Sequence, residues 1–138
     1  MQIEVLEDAN PPGADDVTAG LRAHLIEKTG PLPRIPLTLL LRDDDTSVRG
    51  GIRGNIALYW LQVDHFWVDE ALRGQGHGSR LLDKAEEAAR MRGAIGAQLT
   101  TSTFQAEGFY RKHGYAEIGR LKDRPPGYDR IWMAKRWG

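Results

Sequence analysis

The sequence predicts a mixed α/β fold in which helices pack against a sheet. Strand-like segments alternate with helix-like segments along the chain, in the order β-α-β-β-β-α-β-α-β-β. Glycines and prolines separate these segments, and the chain contains no internal repeat and no low-complexity segment. A length of 138 residues fits one domain of ordinary size, so we expect a single domain over residues 1–138.

Five elements are predicted before the middle of the chain. Breaker residues mark their boundaries, as at Asn10–Gly13 and in the proline-rich connector of residues 31–36. Within the fourth element, Gly50–Gly51 and Gly54 indicate a bulge or a close backbone approach. In order, the elements are a strand at residues 2–6, a helix at 15–28, a strand at 37–41, a return strand at 48–60 and a strand at 61–68.

Five further elements follow a glycine-rich loop. The first of them is the most regular helix of the chain, because Leu81, Leu82 and Ala85 repeat at helical spacing and Gly93 ends the pattern. The predicted elements are a helix at residues 79–92, a strand at 95–101, a short helix at 105–113, and strands at 115–121 and 130–135. Turn residues Arg124–Gly127 separate the last two strands.

Composition excludes several kinds of site. The 19 basic and 19 acidic side chains cancel, so no general attraction to nucleic acid or to an anionic membrane is expected. The chain has no cysteine, which excludes disulfides, thiol nucleophiles and cysteine-based zinc sites. His24, His77 and His113 lack metal-ligand spacing with neighbouring carboxylates, and no metal is expected. Because the segment MQIEVLEDANPP lacks the pattern of a signal peptide and no long apolar run is present, we expect a cytoplasmic protein.

The loop in front of the second helix carries the clearest functional signal. Residues Arg73–Gly78 read RGQGHG and run directly into the helix. A glycine-rich turn at a helix N-terminus presents free backbone N–H groups and the positive end of the helix dipole, which together favour a phosphate or pyrophosphate. No lysine of a P-loop lies between Arg73 and Asp83, and the spacing G-x-G-x-G differs from the dinucleotide pattern G-x-G-x-x-G. The sequence therefore predicts neither of those two sites.

A third phosphate-binding motif fits these residues. Arg73–Gly78 matches [RQ]-x-x-G-x-[GA], and Thr103–Tyr115 resembles the block N-x-x-A-x-x-x-Y-x-x-x-G-[FY], with Ala106, Tyr110 and Gly114 at the matching spacings. On these two blocks the chain resembles the GNAT superfamily of N-acetyltransferases over nearly its whole length, and more narrowly a bacterial subgroup of small GNAT enzymes. Thr103 stands where many members have asparagine, so a coenzyme contact from that side chain is not carried over.

The resemblance implies both a fold and a coenzyme. The fold would be a mixed, mostly antiparallel sheet flanked by helices, of α/β (α+β) class, with a V-shaped splay between the central strands. Acetyl-CoA would lie in the V, with its pantetheine against one strand and its pyrophosphate on the glycine loop. The residues that the resemblance assigns to coenzyme A are Phe66, Trp67, Val68, Arg73, Gly74, Gln75, Gly76, His77, Gly78, Ser79 and Arg80.

Catalytic roles follow from the same resemblance. The family's tyrosine at the position of Tyr110 commonly acts as the general acid that protonates the leaving thiolate. A base is expected on the strand before the loop, where alternation places Asp64 and His65 on opposite faces, so that at most one of them faces the cleft. We favour Asp64 because it would share a face with Val68. His65 titrates in a more suitable range, and Glu107 is a third candidate.

The resemblance implies an amine acceptor, either a small molecule or a peptide, that attacks acetyl-CoA directly in a ternary complex. Tyr128 and Arg130, in the segment PPGYDR, are expected at the acceptor end of the cleft, where Arg130 would orient a carboxylate. A plain β-turn with an outward arginine is the structural alternative. No nucleic acid or membrane partner is expected, and assembly as a homodimer stays open. The alternative function is a non-catalytic acyl-CoA-binding or sensor domain of the same fold.

Overall fold

The computed structural model describes residues 1–104 and 106–138, which form two compact units. The first unit, residues 1–32, contains α1 (Ala14–Thr29), in agreement with the helix predicted at 15–28. The strand predicted at residues 2–6 is wrong. Alternation of side chains does not suffice for a strand, which also needs a hydrogen-bonded neighbour, and no strand of the sheet pairs with this segment.

The second unit, residues 33–138, is built on a six-stranded sheet. Its elements are β1 (Ile35–Arg42), β2 (Val48–Ala57), β3 (Trp60–Val68), α2 (His77–Met91), β4 (Gly96–Ser102), α3 (Glu107–Lys112), β5 (Ala116–Leu121) and β6 (Arg130–Arg136). The strand order is β1-β2-β3-β4-β6-β5, and every neighbouring pair is antiparallel except β3 and β4, which are parallel. The predicted mixed, mostly antiparallel sheet is confirmed, with one strand fewer than the sequence predicts.

The parallel pair at the centre of the sheet separates part-way along its length. β3 and β4 are paired from Trp60 opposite Gly96 to Val63 opposite Leu99. Beyond that point no described residue pairs with the second half of β3, from Asp64 onward, on its β4 side. The backbone groups on this edge of β3 are therefore available to a ligand.

Glycines allow the close strand contacts of β2. A β-carbon on Gly54 would collide with the backbone carbonyl oxygen of Gln62, and one on Gly51 would collide with that of Leu39. The register between β2 and β3 also shifts at Gly54, where the partner changes from His65 to Val63. The bulge or close approach predicted from these glycines is therefore confirmed, and it matters for the site described below.

The core of the second unit lies between α2 and one face of the sheet. Leu82, Ala85 and Ala89 recur on one side of α2 and are completely buried. They pack with the fully buried sheet residues Leu61, Ile131 and Met133. Because this packing fixes α2 against the central strands, it also fixes the loop that begins the helix. In the described part of the chain we find no helical segment with the length and hydrophobicity that a membrane span requires.

Candidate active site

A cleft of about 1010 Å³ opens where β3 and β4 separate. Its walls come from the second half of β3, the glycine loop, the first turn of α2, the end of β4, α3 and Arg130. The cleft therefore brings together Asp64, Tyr110 and Arg130, which are widely separated in the sequence. A glycine loop, a phenol, a carboxylate and a guanidinium thus share one solvent-connected space.

The glycine loop forms an uncapped helix N-terminus beside this cleft. Gly74 and Gly76 have φ angles of 80° and 85°, in the left-handed region that favours glycine. α2 begins at His77, two residues earlier than predicted, so that the last part of the motif is already helical. Gly76 is the N-cap and supplies no side-chain hydrogen bond. The N–H groups of this first turn therefore lack intrahelical acceptors and are suited to an anion.

Most of the residues predicted to hold coenzyme A line the cleft, as a group that comprises Phe66, Trp67, Val68, Arg73, Gly74, Gly76, His77, Gly78 and Ser79. Two predicted residues do not. The amide of Gln75 donates to the carbonyl of Ala71, and the guanidinium of Arg80 lies 3.2 Å from Nδ1 of His77. Both side chains lie beside the loop and support its conformation.

An ion-pair bridge supports the segment that leads into the glycine loop. Arg49 on β2 contacts Asp69 at 2.9 Å and Asp43 in the β1–β2 turn at 3.1 Å. Asp69 in turn accepts the N–H of Ala71. The backbone N–H of Ala71 and the guanidinium of Arg49 hold the pKa of Asp69 below its usual value. The turn at Asp43–Asp45 therefore helps to fix the start of the loop.

Tyr110 lies on α3 with its ring in the core and its hydroxyl at the cleft. The residue is 8% exposed, and its ring makes edge contacts with Phe66, Phe109 and Tyr115 at centroid distances of 6.2, 5.4 and 5.8 Å. Burial raises the pKa of Tyr110 to about 12, so the phenol stays protonated at neutral pH. Among the described residues its hydroxyl has no hydrogen-bond partner. The group is thus a neutral donor that faces a ligand space.

The bulge in β3 corrects the predicted placement of Asp64 and His65. Arg53 on β2 pairs with His65 and its neighbour Gly54 pairs with Val63, so Asp64 is the extra residue and the alternation shifts by one. Asp64 and His65 are consequently both exposed, and both line the cleft. We expected Asp64 to share a face with Val68 and to lie on the face opposite His65. The structure shows neither arrangement.

Asp64 is instead held among polar side chains on the face opposite the core. Gln62 donates to one of its carboxylate oxygens at 3.0 Å, and the buried Asn55 donates to the other at 3.5 Å. Glu107, the third candidate base, pairs with Arg111 at 3.4 Å and does not line the cleft. Of the predicted bases, Asp64 is therefore the one with an oriented carboxylate in the cleft.

Arg130 is fixed on the same polar face. Its guanidinium donates to Oγ1 of Thr100, at 2.7 and 3.1 Å, and to Oγ of Ser102 at 3.2 Å. Within residues 1–104 and 106–138 no carboxylate forms an ion pair with it. The β-turn of the predicted alternative is present, because the N–H of Tyr128 donates to the carbonyl of Pro125, but its outward arginine is wrong, since Arg130 opens β6 and lines the cleft.

The loop that follows β4 is joined to the loop that precedes β6. The N–H of Thr103 donates to the carbonyl of Asp129, and the N–H of Asp129 donates to Oγ1 of Thr103, each at 3.0 Å. Next to this pair, the ring of Phe104 lies 5.0 Å from that of Tyr128, and both side chains are about half exposed. Thr103, at the motif's asparagine position, thus fastens the loop beside Arg130. Phe104 lines the cleft, whereas Tyr128 does not line it and contacts the ring of Phe104.

Comparison with known proteins identifies the family. The model of the acetyltransferase (GNAT) domain matches residues 37–117, which include the glycine loop and most of the cleft. The chain belongs to the GNAT acetyltransferase family. Members of this family use acetyl-CoA, so the free N–H groups of the loop have a ligand of the matching chemistry in the coenzyme's pyrophosphate.

Individual relatives agree with this membership. An acetyltransferase of Agrobacterium fabrum is 38% identical over 117 residues, which cover 85% of each chain. The blasticidin-S acetyltransferase of Streptomyces morookaense is 48% identical over 79 residues, 56% of this chain and 58% of that one. A crystal structure of an acetyltransferase from Agrobacterium tumefaciens superposes with a TM-score of 0.89 at 36% identity, over 99% of this chain and 100% of that chain.

Several residues of this GNAT site could not be predicted from the sequence. Arg49, Thr100 and Ser102 act on the site only through partners that are distant in the chain. His113 likewise lies against Ser79, at a separation of 34 residues. The only local signal was the presence of polar side chains in strands, which is not specific enough to reveal such contacts.

Proposed function

We propose that this chain moves an acetyl group from acetyl-CoA to a primary amine, by direct attack in a ternary complex. One observation supports the proposal above the others. Among residues 1–104 and 106–138, a single cleft contains an uncapped helix N-terminus, a phenol without a hydrogen-bond partner and a guanidinium without a carboxylate, each on a different element. These groups suit an anionic coenzyme, a leaving thiolate and an acceptor bearing an anion.

The coenzyme side of the cleft consists of the glycine loop and the unpaired edge of β3. The first-turn N–H groups of α2 and the guanidinium of Arg73 would bind the pyrophosphate, while Phe66, Trp67 and Val68 would line the pantetheine arm. Arg73 is anchored through Nε to the carbonyl of Val68 at 3.2 Å, and within the described part of the chain its other guanidinium nitrogens remain available to an anion. When bound, acetyl-CoA supplies an acetyl group activated as a thioester. A backbone N–H near Val68 would polarise its carbonyl.

Tyr110 is proposed as the general acid. Since burial raises its pKa to about 12, Tyr110 is protonated at neutral pH and has a proton to donate to the sulfur as the C–S bond breaks. No hydrogen bond to another described residue has to break before its hydroxyl donates. The rings of Phe66, Phe109 and Tyr115 keep the phenol in place.

Asp64 is proposed as the group that removes a proton from the acceptor amine, directly or through one water. The amine must lose its ammonium proton before it can attack, because only the neutral nitrogen has a lone pair. Gln62 and Asn55 orient the carboxylate from the side away from the coenzyme. The proton from the amine thus leaves on the polar face, whereas the thiolate receives its proton from Tyr110 on the core face.

The acceptor is proposed to carry a carboxylate that Arg130 recognises. Thr100 and Ser102 fix the guanidinium but leave its charge unneutralised among the described residues. Phe104 and Tyr128 would border the acceptor with their exposed rings. The name of one relative, blasticidin-S acetyltransferase, makes antibiotic amines a reasonable class to include beside amino acids and peptide N-termini.

The test is thiol release from acetyl-CoA with a panel of such amines, each offered with its carboxylate free and as the methyl ester. We expect turnover with at least one amine, and a lower KM for the free acid than for its ester. Binding of acetyl-CoA without turnover for any amine would instead support the non-catalytic acyl-CoA-binding domain. Product analysis by mass spectrometry should show one added acetyl group on nitrogen.

A further inference from the structure

A histidine behind the glycine loop contacts one of the residues that line the cleft. The hydroxyl oxygen of Ser79, in the first turn of α2, lies 2.9 Å from Nε2 of His113. Nδ1 of the same ring lies 3.7 Å from a carboxylate oxygen of Asp83. The imidazole packs on the ring of Phe109 at 4.6 Å, and 18% of its side chain is exposed. Asp83, His113 and Ser79 therefore form a chain from the surface to the cleft.

The proton on Nε2 decides what the hydroxyl of Ser79 can offer to a ligand. With Nε2 bare, the hydroxyl donates to the ring and presents only lone pairs to the cleft, which repel a phosphate oxygen. With a proton on Nε2, the ring donates to Oγ, and the hydrogen of Ser79 is free to point at the phosphate. A carboxylate beside Nδ1 favours a proton there. The imidazolium, with both nitrogens protonated, is thus the form that donates to Asp83 and to Ser79 together and leaves the hydroxyl hydrogen of Ser79 for a phosphate.

We propose that His113 is a positioning residue for the coenzyme. In its protonated form it turns the hydroxyl of Ser79 toward the pyrophosphate, so that binding of coenzyme A is coupled to uptake of a proton by His113. This inference rests on the proposed function, since it takes the glycine loop as the pyrophosphate site. The positive charge of the imidazolium acts in the same direction, because it lies behind a loop that binds an anion.

Other charged groups near the ring have partners of their own. On α2, Asp83 is the charged group beside the ring, and Arg80 lies against His77. On α3, the ring contact is the uncharged Phe109. On β6, Nζ of Lys135 would lie 4.0 Å from a β-carbon at Gly114, the residue that follows His113. This ammonium group pairs with Glu86 at 2.8 Å. His77 is a second imidazole that lines the cleft, so it needs its own control.

The experiment measures the Kd of coenzyme A by calorimetry at about pH 6 and about pH 8 for the intact chain and for matched variants. His113→Phe keeps the packing on Phe109 and removes both ring nitrogens. His113→Gln keeps an N–H donor without a titrating group. Ser79→Ala and the double variant Ser79→Ala/His113→Phe complete a cycle, and His77→Gln is the control. Acetyl-pantetheine, which lacks phosphates, is the second probe, and thermal unfolding reports whether each variant is folded.

We expect His113→Phe and Ser79→Ala each to raise the Kd at pH 6 by about 10-fold. The double variant should also raise it by about 10-fold, because the two single substitutions remove the same contact. The ratio of Kd at pH 8 to that at pH 6 should fall in His113→Phe and His113→Gln relative to the intact chain. The ratio should fall less in His77→Gln than in His113→Gln. Acetyl-pantetheine should bind all variants alike.

Several results would overturn the inference. One is an unchanged Kd in folded His113→Phe, another is additive losses in the double variant, and a third is an equal loss with acetyl-pantetheine. If the intact chain bound no coenzyme A, the proposed function itself would fail. Normal binding with a pH ratio independent of His113 would reject the proton coupling alone and leave the proposed function in place.

Discussion

Replacement of Tyr110 by phenylalanine separates catalysis from packing in this cleft. The change removes one oxygen atom and leaves the ring contacts with Phe66, Phe109 and Tyr115 in place. If the hydroxyl protonates the leaving sulfur, the contact is stronger in the transition state than in the ground state. Loss of a general acid typically lowers kcat by roughly 10²–10⁴-fold, or about 3–5 kcal/mol of barrier. The KM for acetyl-CoA should change little.

The structure predicts almost no effect of this substitution on stability. The hydroxyl of Tyr110 has no protein partner among the described residues, so its removal breaks no buried hydrogen bond. Tyr115 provides the matched control, because its hydroxyl donates to the buried carboxylate of Glu86 at 2.8 Å. Tyr115→Phe should lower the free energy of unfolding by about 1–3 kcal/mol while it leaves kcat near that of the parent. The two tyrosines should thus show opposite patterns.

The assay is single-turnover thiol release under saturating acetyl-CoA and acceptor, with thermal unfolding measured on the same preparations. Because burial raises the pKa of Tyr110 to about 12, its ionisation should add no limb to the pH–rate profile between about pH 6 and 9. The phenol ionises at a lower pH in the unfolded chain than in the folded one. The contribution of Tyr110 to the free energy of unfolding is therefore complete below about pH 10 and falls as the pH rises toward 12. A Tyr110→Phe protein that keeps more than about a third of the parent's rate of chemistry would refute the general-acid role.

Three other substitutions test separate parts of the site. Gly78→Val should abolish the rise in Tm that acetyl-CoA causes, because its side chain would press on the rings of Phe109 and Phe66, which line the cleft beside the loop. Gly108→Val, whose β-carbon meets nothing within 4 Å, should retain the rise, and equal rises in both would reject the assignment of the loop. Asp64→Asn should lower kcat/KM most at low pH, where more of the amine is protonated, whereas His65→Gln should leave this pH dependence unchanged. If the pH–rate profile of Asp64→Asn matched that of the parent, Asp64 would have no part in the mechanism. Arg130→Met should raise the KM for a carboxylate acceptor by about 10-fold or more with no change for its methyl ester; a loss that is equal for acid and ester would count against carboxylate recognition.

Elements of this fold could be predicted from the sequence where local pattern and tertiary packing agree. α2 repeats its apolar side chains at helical spacing and buries that same face, so its prediction is confirmed to within two residues. Residues 2–6 show the opposite case, since their alternation finds no partner strand. The glycine loop and Tyr110 could be placed because their motifs are local. The contacts of Arg130 with Thr100 and of His113 with Ser79 depend on strand and helix packing across about 30 residues.

Asp64 shows how a single inserted residue can change the interpretation of a site. Side chains alternate along a strand with a period of two, so one bulged residue moves every later side chain to the other face. Gly54 signalled a bulge near this place, but glycine in one strand does not reveal which strand carries the extra residue. In the structure it is β3, and Asp64 joins the polar face instead of the face of Val68.

The bulge has a consequence for how the proposed reaction is divided across the sheet. On one face, Phe66 and Val68 pack with Tyr110 beside the glycine loop; on the other, Asp64 and Arg130 lie among polar side chains. The two faces of the sheet are open to each other where β3 and β4 separate, after Val63 and Leu99. A coenzyme bound on the core side and an amine bound on the polar side would therefore meet in that gap. Without the bulge, side chains would alternate without interruption from Val63 onward, so Phe66 and Val68 would lie on the face of Asp64, away from Tyr110 and the core.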